Sequence, residues 1–210
     1  MLAKGFFITF EGIEGSGKTT QIELLANYLE TAGYPILVTR EPGGTMIGNK
    51  IRQILLDPQN EAMDYHTEIL LYAADRAQHF QEKIKPALKE GKIVISDRFV
   101  DSNLAYQGVG RGLDYDFVYK INDWVIDSCW PDLTLLLDLD FRTGLKRARA
   151  LSADLTGDRV EREADAFHQK VRNAYLDLAA KDDRFELVEA AGDKTEVHQK
   201  IKNIISRRLA

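Results

Sequence analysis

The chain has 210 residues, of which 44% are hydrophobic and 29% charged, with a formal net charge of −5. These proportions suit a folded soluble chain whose core needs no disulfide or metal staple, and they argue against disorder. The acidic balance excludes a whole-molecule basic field for wrapping nucleic acid.

Phe6–Phe10 is a short apolar run that reads as a buried strand. Glu11, Gly12 and Glu14 follow it at once, which is wrong for a signal peptide. No stretch is long and apolar enough to span a bilayer, so a cytoplasmic protein is expected. Ile22, Leu25, Ala26 and Leu29 then share one helix face, and Gly33 is placed to end that helix. Ile36–Thr39 reads as the second strand, and Thr67 to about Lys85 as a helix with Ile69, Leu70, Ala73, Ala77 and Phe80 inward. Ile93–Ser96 is the third strand. Ala105–Gly112 holds three glycines and reads as a loop, followed by a helix near Phe117–Ile126. Cys129, the one cysteine, is expected to be a small core side chain in a reducing compartment. Leu133–Leu139 is the fourth strand, Arg142–Glu163 is dense in charge and breaks at Thr156-Gly157-Asp158, Phe185–Glu189 is the fifth strand, and Thr195–Arg208 is a closing helix. This alternation implies an α/β fold, a parallel five-stranded sheet with helices on both faces, in one domain over residues 1–210.

One motif carries chemistry directly. Gly12-Ile13-Glu14-Gly15-Ser16-Gly17-Lys18-Thr19, with Thr20 behind it, fits the phosphate-loop pattern and stands between a strand and a helix. Glycines there let backbone N–H groups surround phosphate oxygens, and the helix offers them its positive end. Lys18 is placed to reach the β and γ phosphates and Thr19 to ligate Mg²⁺. The sequence has no Asn-Lys-x-Asp for guanine, since Asn49-Lys50 runs into Ile51-Arg52. A kinase of P-loop type acting on a small acceptor fits the chain's size.

Other residues point to an acceptor that already carries phosphate. Asp97-Arg98 and Thr39-Arg40-Glu41-Pro42-Gly43-Gly44-Thr45 both follow strands, at the edge where open parallel sheets bind ligands. Tyr72 and Arg76 are four apart on one helix face, a ring and a guanidinium suited to stacking on a base and bonding its edge.

Five segments in order, FEGIEGSGKTT, TREPGGT, LLYAADRAQH, DRFVDSNLAYQG and GLKRARALSADLTGDRVE, resemble bacterial thymidylate kinases of the type with a basic lid. They span about residues 10 to 163. The resemblance implies γ-phosphoryl transfer from ATP to dTMP with Mg²⁺, a nucleoside-monophosphate-kinase sheet and a homodimer. It implies that Tyr72 stacks on thymine, Arg76 bonds the base, Arg98 grips the dTMP phosphate and Asp97 sits near the metal. Ser102, Asn103, Tyr106 and Gln107 would line the nucleoside pocket, Tyr106 crowding the 2′ position. Glu14 would face the 3′-hydroxyl, and Glu41-Pro42 would shape the pocket floor through a cis peptide. Lys18, Arg98 and a mobile lid at about 142–163 would offset the charge of the two anions. Arg149 and Arg159 are the expected lid arginines, with Arg147 behind them. The backbone at Ala190–Asp193 is the expected adenine neighbour, and the helix with Trp124 the expected dimer surface. Two rival kinase readings remain at this stage. One is a deoxynucleoside kinase using Glu41 as base; the other is a monophosphate kinase for another base. An ATP-driven assembly switch with no small acceptor is a third.

Overall fold

The computed structural model describes residues 4–151 and 157–209. Strand β1, Phe6–Glu11, ends at the phosphate loop, and helix α1, Lys18–Thr31, begins there. Strand β2 is Ile36–Arg40, helix α2 Met46–Leu56, helix α3 Tyr65–His79 and helix α4 Lys85–Lys89. Strand β3 is Ile93–Asp97, followed by helices α5, Val100–Asn103, and α6, Tyr115–Val125. Strand β4 is Leu133–Asp138, helix α7 Phe141–Leu151, helix α8 Asp165–Ala179, strand β5 Phe185–Glu189 and helix α9 Lys194–Arg208.

The five strands form one sheet in the order β2-β3-β1-β4-β5, every pair parallel. Side chains alternate across it. Ile8, Phe10, Ile93 and Ile95 enter the core that α1, α8 and α9 cover, while Phe7 and Val94 enter a second core with Phe80, Ile84 and Phe99. This is the three-layer arrangement expected of a parallel sheet buried on both faces. The edge strands are less covered, and Val38 and Leu187 are exposed there. Register sets the functional edge: Phe10 pairs with Asp97, and Asp97 with Arg40, so Glu11, Arg40, Asp97 and Arg98 converge at the carboxyl ends.

Helix starts follow local capping chemistry. Thr45, Asp64, Asp114 and Asp193 each accept a hydrogen bond from a backbone N–H in the first turn of the helix they precede. Three expectations change. The helix expected over Thr67–Lys85 is α3, a π-helical turn at Phe80–Ile84 and then α4. The expected loop at Ala105–Gly112 is instead a π-helical continuation of α5 over Leu104–Gly110, buried through Gly108. Gly110 there serves packing, since a Cβ on it would lie 2.8 Å from the Phe167 ring of α8. Finally, the charge-dense stretch divides into α7 and a turn at 159–162 ahead of α8, a helix not among the expected elements although Phe167, Val171, Ala174, Tyr175 and Leu178 share one face of it. Of the expected lid and its break, positions 152–156 lie outside the described residues.

Candidate active site

The phosphate loop is built by backbone conformations that favour glycine. Gly12, Gly15 and Gly17 all have positive φ. At Gly15 a second constraint acts, because a Cβ there would lie 2.0 Å from the carbonyl oxygen of Gly144 on α7. Loop and α7 therefore meet backbone to backbone. Lys18 Nζ curls over the loop and donates to the carbonyls of Gly12 at 3.1 Å and Ile13 at 2.8 Å. Burial, then the charge of Arg98, push the Lys18 ammonium down to about 8. Thr19 Oγ1 donates to Asp97 Oδ2 at 3.2 Å, joining the first turn of α1 to the end of β3.

Arg98 is the hub of the next layer. Its φ of 68° is left-handed, a conformation that turns its side chain back over the loop. It donates to Glu14 at 2.9 Å, Tyr106 OH at 3.2 Å, Ser102 Oγ at 3.2 Å and Tyr175 OH at 3.1 Å. Tyr106 OH also donates to Glu14, at 2.7 Å. Burial alone would raise the Glu14 carboxyl, yet Arg98 and Lys18 hold it below the usual range. Beneath them Glu11 is fully buried and accepts from Phe99 N, Ser102 Oγ and Tyr175 OH. Burial, helped by Asp101, lifts its carboxyl to about 7.

The peptide between Glu41 and Pro42 is cis. Glu41 is buried with its two oxygens divided: Oε2 accepts from Arg76 Nε at 2.8 Å, and Oε1 faces His79 Nδ1 at 2.8 Å. Arg76 is wholly buried and also bonds Asn103 Oδ1, Asn122 Oδ1 and the Phe99 carbonyl. A carboxylate engaged in this way by two partners is poorly placed to take a proton from a ligand.

Two cavities flank the loop. The first, about 280 Å³, is lined by Glu14, Tyr72, Arg76, Arg98, Asn103 and Gln107 among others, and Asp97, Ser102 and Tyr106 also border it. Arg40 and Arg52 add positive charge to its wall. The second, about 710 Å³, is lined by the loop from Gly15 to Gln21, by Arg147, and by Ala190 and Gly192–Lys194. Gly15, Lys18 and Thr19 border both. The phosphate loop thus forms the partition between two ligand-sized spaces.

The expected lid arginines part company. Arg149 is exposed and donates to the Glu161 carbonyl at 3.2 Å, and Arg147 borders the second cavity. Arg159 is only 6% exposed; it donates to the Leu55 carbonyl and pairs with Glu68 at 2.5 Å. Glu11, Arg52, Glu68 and Tyr175 were not anticipated. Glu11, a charge closing an apolar strand at the sheet's ligand edge, carries a readable signal; Tyr175 carries one only as part of the apolar stripe Phe167, Val171, Ala174, Tyr175 and Leu178, which marks a helix but not its hydroxyl's partner.

A family model described as thymidylate kinase matches residues 10–201. A thymidylate kinase of Halothermothrix orenii is 58% identical over 198 residues, covering 94% of this chain and 95% of the relative. One of Syntrophotalea carbinolica is 54% identical over 200 residues, covering 93% of each. The crystal structure of thymidylate kinase from Ehrlichia chaffeensis superposes with a TM-score of 0.77 at 37% identity, over 96% of this chain and 99% of that one.

Proposed function

Because the chain belongs to the thymidylate kinase family, we infer that it transfers the γ-phosphoryl group of ATP to dTMP, giving dTDP and ADP. The observation that supports the residue roles is the shared border: Gly15, Lys18 and Thr19 face both cavities. The second cavity takes ATP, its adenine against Ala190 and Gly192–Lys194, and the first takes dTMP. A phosphate monoester has a second pKa near ~6, so the attacking oxygen of dTMP is largely deprotonated at neutral pH. The protein therefore needs no strong base, and its work is positioning and charge compensation.

Lys18 leaves its loop carbonyls for the β and γ phosphates. Loop N–H groups from Gly12 to Thr20 cradle the same oxygens. Arg98 holds the acceptor phosphate, with Ser102 and Tyr175 fixing its fork. Tyr72 stacks on thymine, while Arg76, Asn103 and Gln107 form the wall at the base and Glu41-Pro42 the floor. Glu14 receives the 3′-hydroxyl, and Tyr106 closes the space beside the 2′ carbon. Arg149 and Arg147 present positive charge beside the triphosphate, and Arg159 secures the segment from which Asp158, Val160 and Glu161 reach the acceptor cavity. Thr19 and Asp97, two hard oxygen donors already 3.2 Å apart, fit Mg²⁺. When bound, Mg²⁺ neutralises charge on the β and γ oxygens.

The same reading makes the protein a cytoplasmic enzyme of dTTP synthesis. No helix among the described residues is long and apolar enough to cross a membrane. It also makes the enzyme a homodimer. Helix α3 packs against both α2 and α6, and these helices expose Met46, Ile47, Ile54, Leu70 and Trp124, the last at 77%. Sedimentation should find a dimer that Trp124→Lys weakens; a monomeric wild type refutes this. The deoxynucleoside-kinase rival needs a free base, and Glu41 is held by Arg76 and His79. Coupled ADP release over dTMP, dUMP, CMP, AMP and thymidine tests the function: dTMP should be the best acceptor, and turnover of thymidine in its place contradicts the reading.

A further inference from the structure

A buried charge cluster stands beside the acceptor cavity. Glu68, in the first turn of α3, is completely buried. Its oxygens accept from Arg111 Nε and Nη2 at 3.2 Å each and from Gln107 Nε2 at 2.7 Å, and they pair with Arg159. Arg111 lies over the rings of Tyr65 and Phe167 and pairs in turn with Glu163. Burying this many charges costs desolvation that the pairing roughly returns, so such a cluster is weak evidence of added stability and better evidence of a fixed register.

The register has a chemical direction. An ionised carboxylate only accepts hydrogen bonds. Two arginines beside Glu68 favour its ionised form against the effect of burial. Gln107 must therefore turn its NH₂ toward Glu68 and its carbonyl oxygen away. That oxygen accepts from Asn103 Nδ2 at 2.8 Å. Asn103 in turn must direct its carbonyl oxygen to Arg76, a pure donor. The relay Glu68–Gln107–Asn103–Arg76 thus has a pure acceptor at one end and a pure donor at the other, and both amides between them are set one way round. Asn103, Gln107 and Arg76 all line the acceptor cavity with Tyr72.

Building on the proposed function, we propose that Glu68 is a specificity-positioning residue: it fixes the polarity of the Gln107 amide, as Arg76 fixes that of Asn103, and so completes the donor–acceptor pattern offered to the acceptor's base. Thymine and cytosine differ in that pattern, a carbonyl acceptor on one standing where the other has an amino donor. A pocket whose amides cannot turn over leaves the wrong base with unpaired polar groups, and such pockets discriminate strongly. Arg111 and Arg159 serve it by keeping Glu68 charged.

The experiment is the ratio of kcat/KM for dTMP over dCMP in wild type, Glu68→Gln and Glu68→Asp. Glu68→Gln can turn an N–H toward Gln107, which removes the fixed acceptor at that end while Arg76 still holds Asn103; the Gln107 amide can then turn over, and the ratio should fall at least about tenfold. Glu68→Asp still only accepts, so its ratio should stay within about threefold of wild type although both variants lose thermal stability. Equal ratios in Glu68→Gln and wild type, or an equal fall in both variants, would overturn the proposal. Should Glu68→Gln fail to fold, side-chain amide exchange in the ¹⁵N-labelled wild type decides. A slowly exchanging Gln107 Nε2 proton supports the relay, and rapid exchange refutes it. A wild type that does not phosphorylate dTMP overturns the underlying function itself, an outcome distinct from a changed ratio.

Discussion

Gly15→Ala tests the contact between the phosphate loop and α7. The new Cβ would stand 2.0 Å from the Gly144 carbonyl oxygen and 3.1 Å from the Ala148 nitrogen. Either the loop or α7 must retreat by about 1 Å to restore contact distance. The left-handed φ of 68° adds about 1–2 kcal/mol for a residue with a Cβ, and overpacking about 1–3 kcal/mol more. For a chain of this size the sum of about 2–5 kcal/mol corresponds to a fall in Tm of about 4–20 °C. A displacement of about 1 Å at reacting groups can lower turnover by about 10²-fold. Gly33→Ala is the matched control, since its φ is 83° and a Cβ there meets nothing within 4 Å. It should show the strain cost in Tm alone, with kcat unchanged. Differential scanning calorimetry and steady-state ADP release read both quantities. If Gly15→Ala matches Gly33→Ala in both Tm and kcat, the loop–helix contact does not hold the catalytic geometry.

Two further outcomes follow from the site. In the ligand-free protein Lys18 is half deprotonated near pH 8, and triphosphate binding restores its proton. The Kd for ATP should therefore rise up to about tenfold per pH unit above that value, with proton uptake seen by calorimetry in buffers of different ionisation enthalpy. Lys18→Met should abolish the uptake. Because the unfolded lysine titrates at 10.5, the unfolded state holds more protons between about 8 and 10.5, and this residue's contribution to stability rises with pH across that window. Tyr72 lines the acceptor cavity, its hydroxyl has no hydrogen bond among the described residues, and the proposed stacking uses its ring alone. Tyr72→Phe should leave the KM for dTMP within about twofold, while Tyr72→Ala should raise it about 5–100-fold, the worth of one stacked base. A larger effect from Tyr72→Phe would assign the hydroxyl a role.

What the sequence made legible was local. The phosphate loop is contiguous, its glycines answer to backbone angles, and the strand before it and helix after it are readable from neighbouring residues. Asp97, Arg98, Arg40 and Glu41 were placed correctly at one edge because parallel strands of similar length end together. The Arg98 hub was only half legible. Glu14 and Tyr106 lie in recognisable motifs, but Tyr175 arrives from 77 residues away on α8, and no local spacing links it to Arg98. The glycines of 105–112 mislead for a physical reason: glycine marks close approach as well as turns, and of the three Gly110 meets the Phe167 ring in a π-helical segment while only Gly112 takes a positive φ. Arg159 looked like lid charge because its segment is basic. Its partner Glu68 is distant in sequence, and no spacing rule links them. The apolar face of α2, α3 and α6 was seen only in part, through Trp124, because surface residues announce themselves only once the core is known.

In the proposed mechanism Arg98 recognises the phosphate of the acceptor while the loop holds that of the donor. The most direct measurement is equilibrium binding of dTMP and of thymidine to wild type and to Arg98→Ala. Wild type should prefer dTMP by about 10²-fold or more, as expected for a partly buried charge-assisted pair, and Arg98→Ala should bring the two affinities close together. If Arg98→Ala weakens both ligands equally and keeps the preference, the phosphate is held elsewhere and the assignment fails.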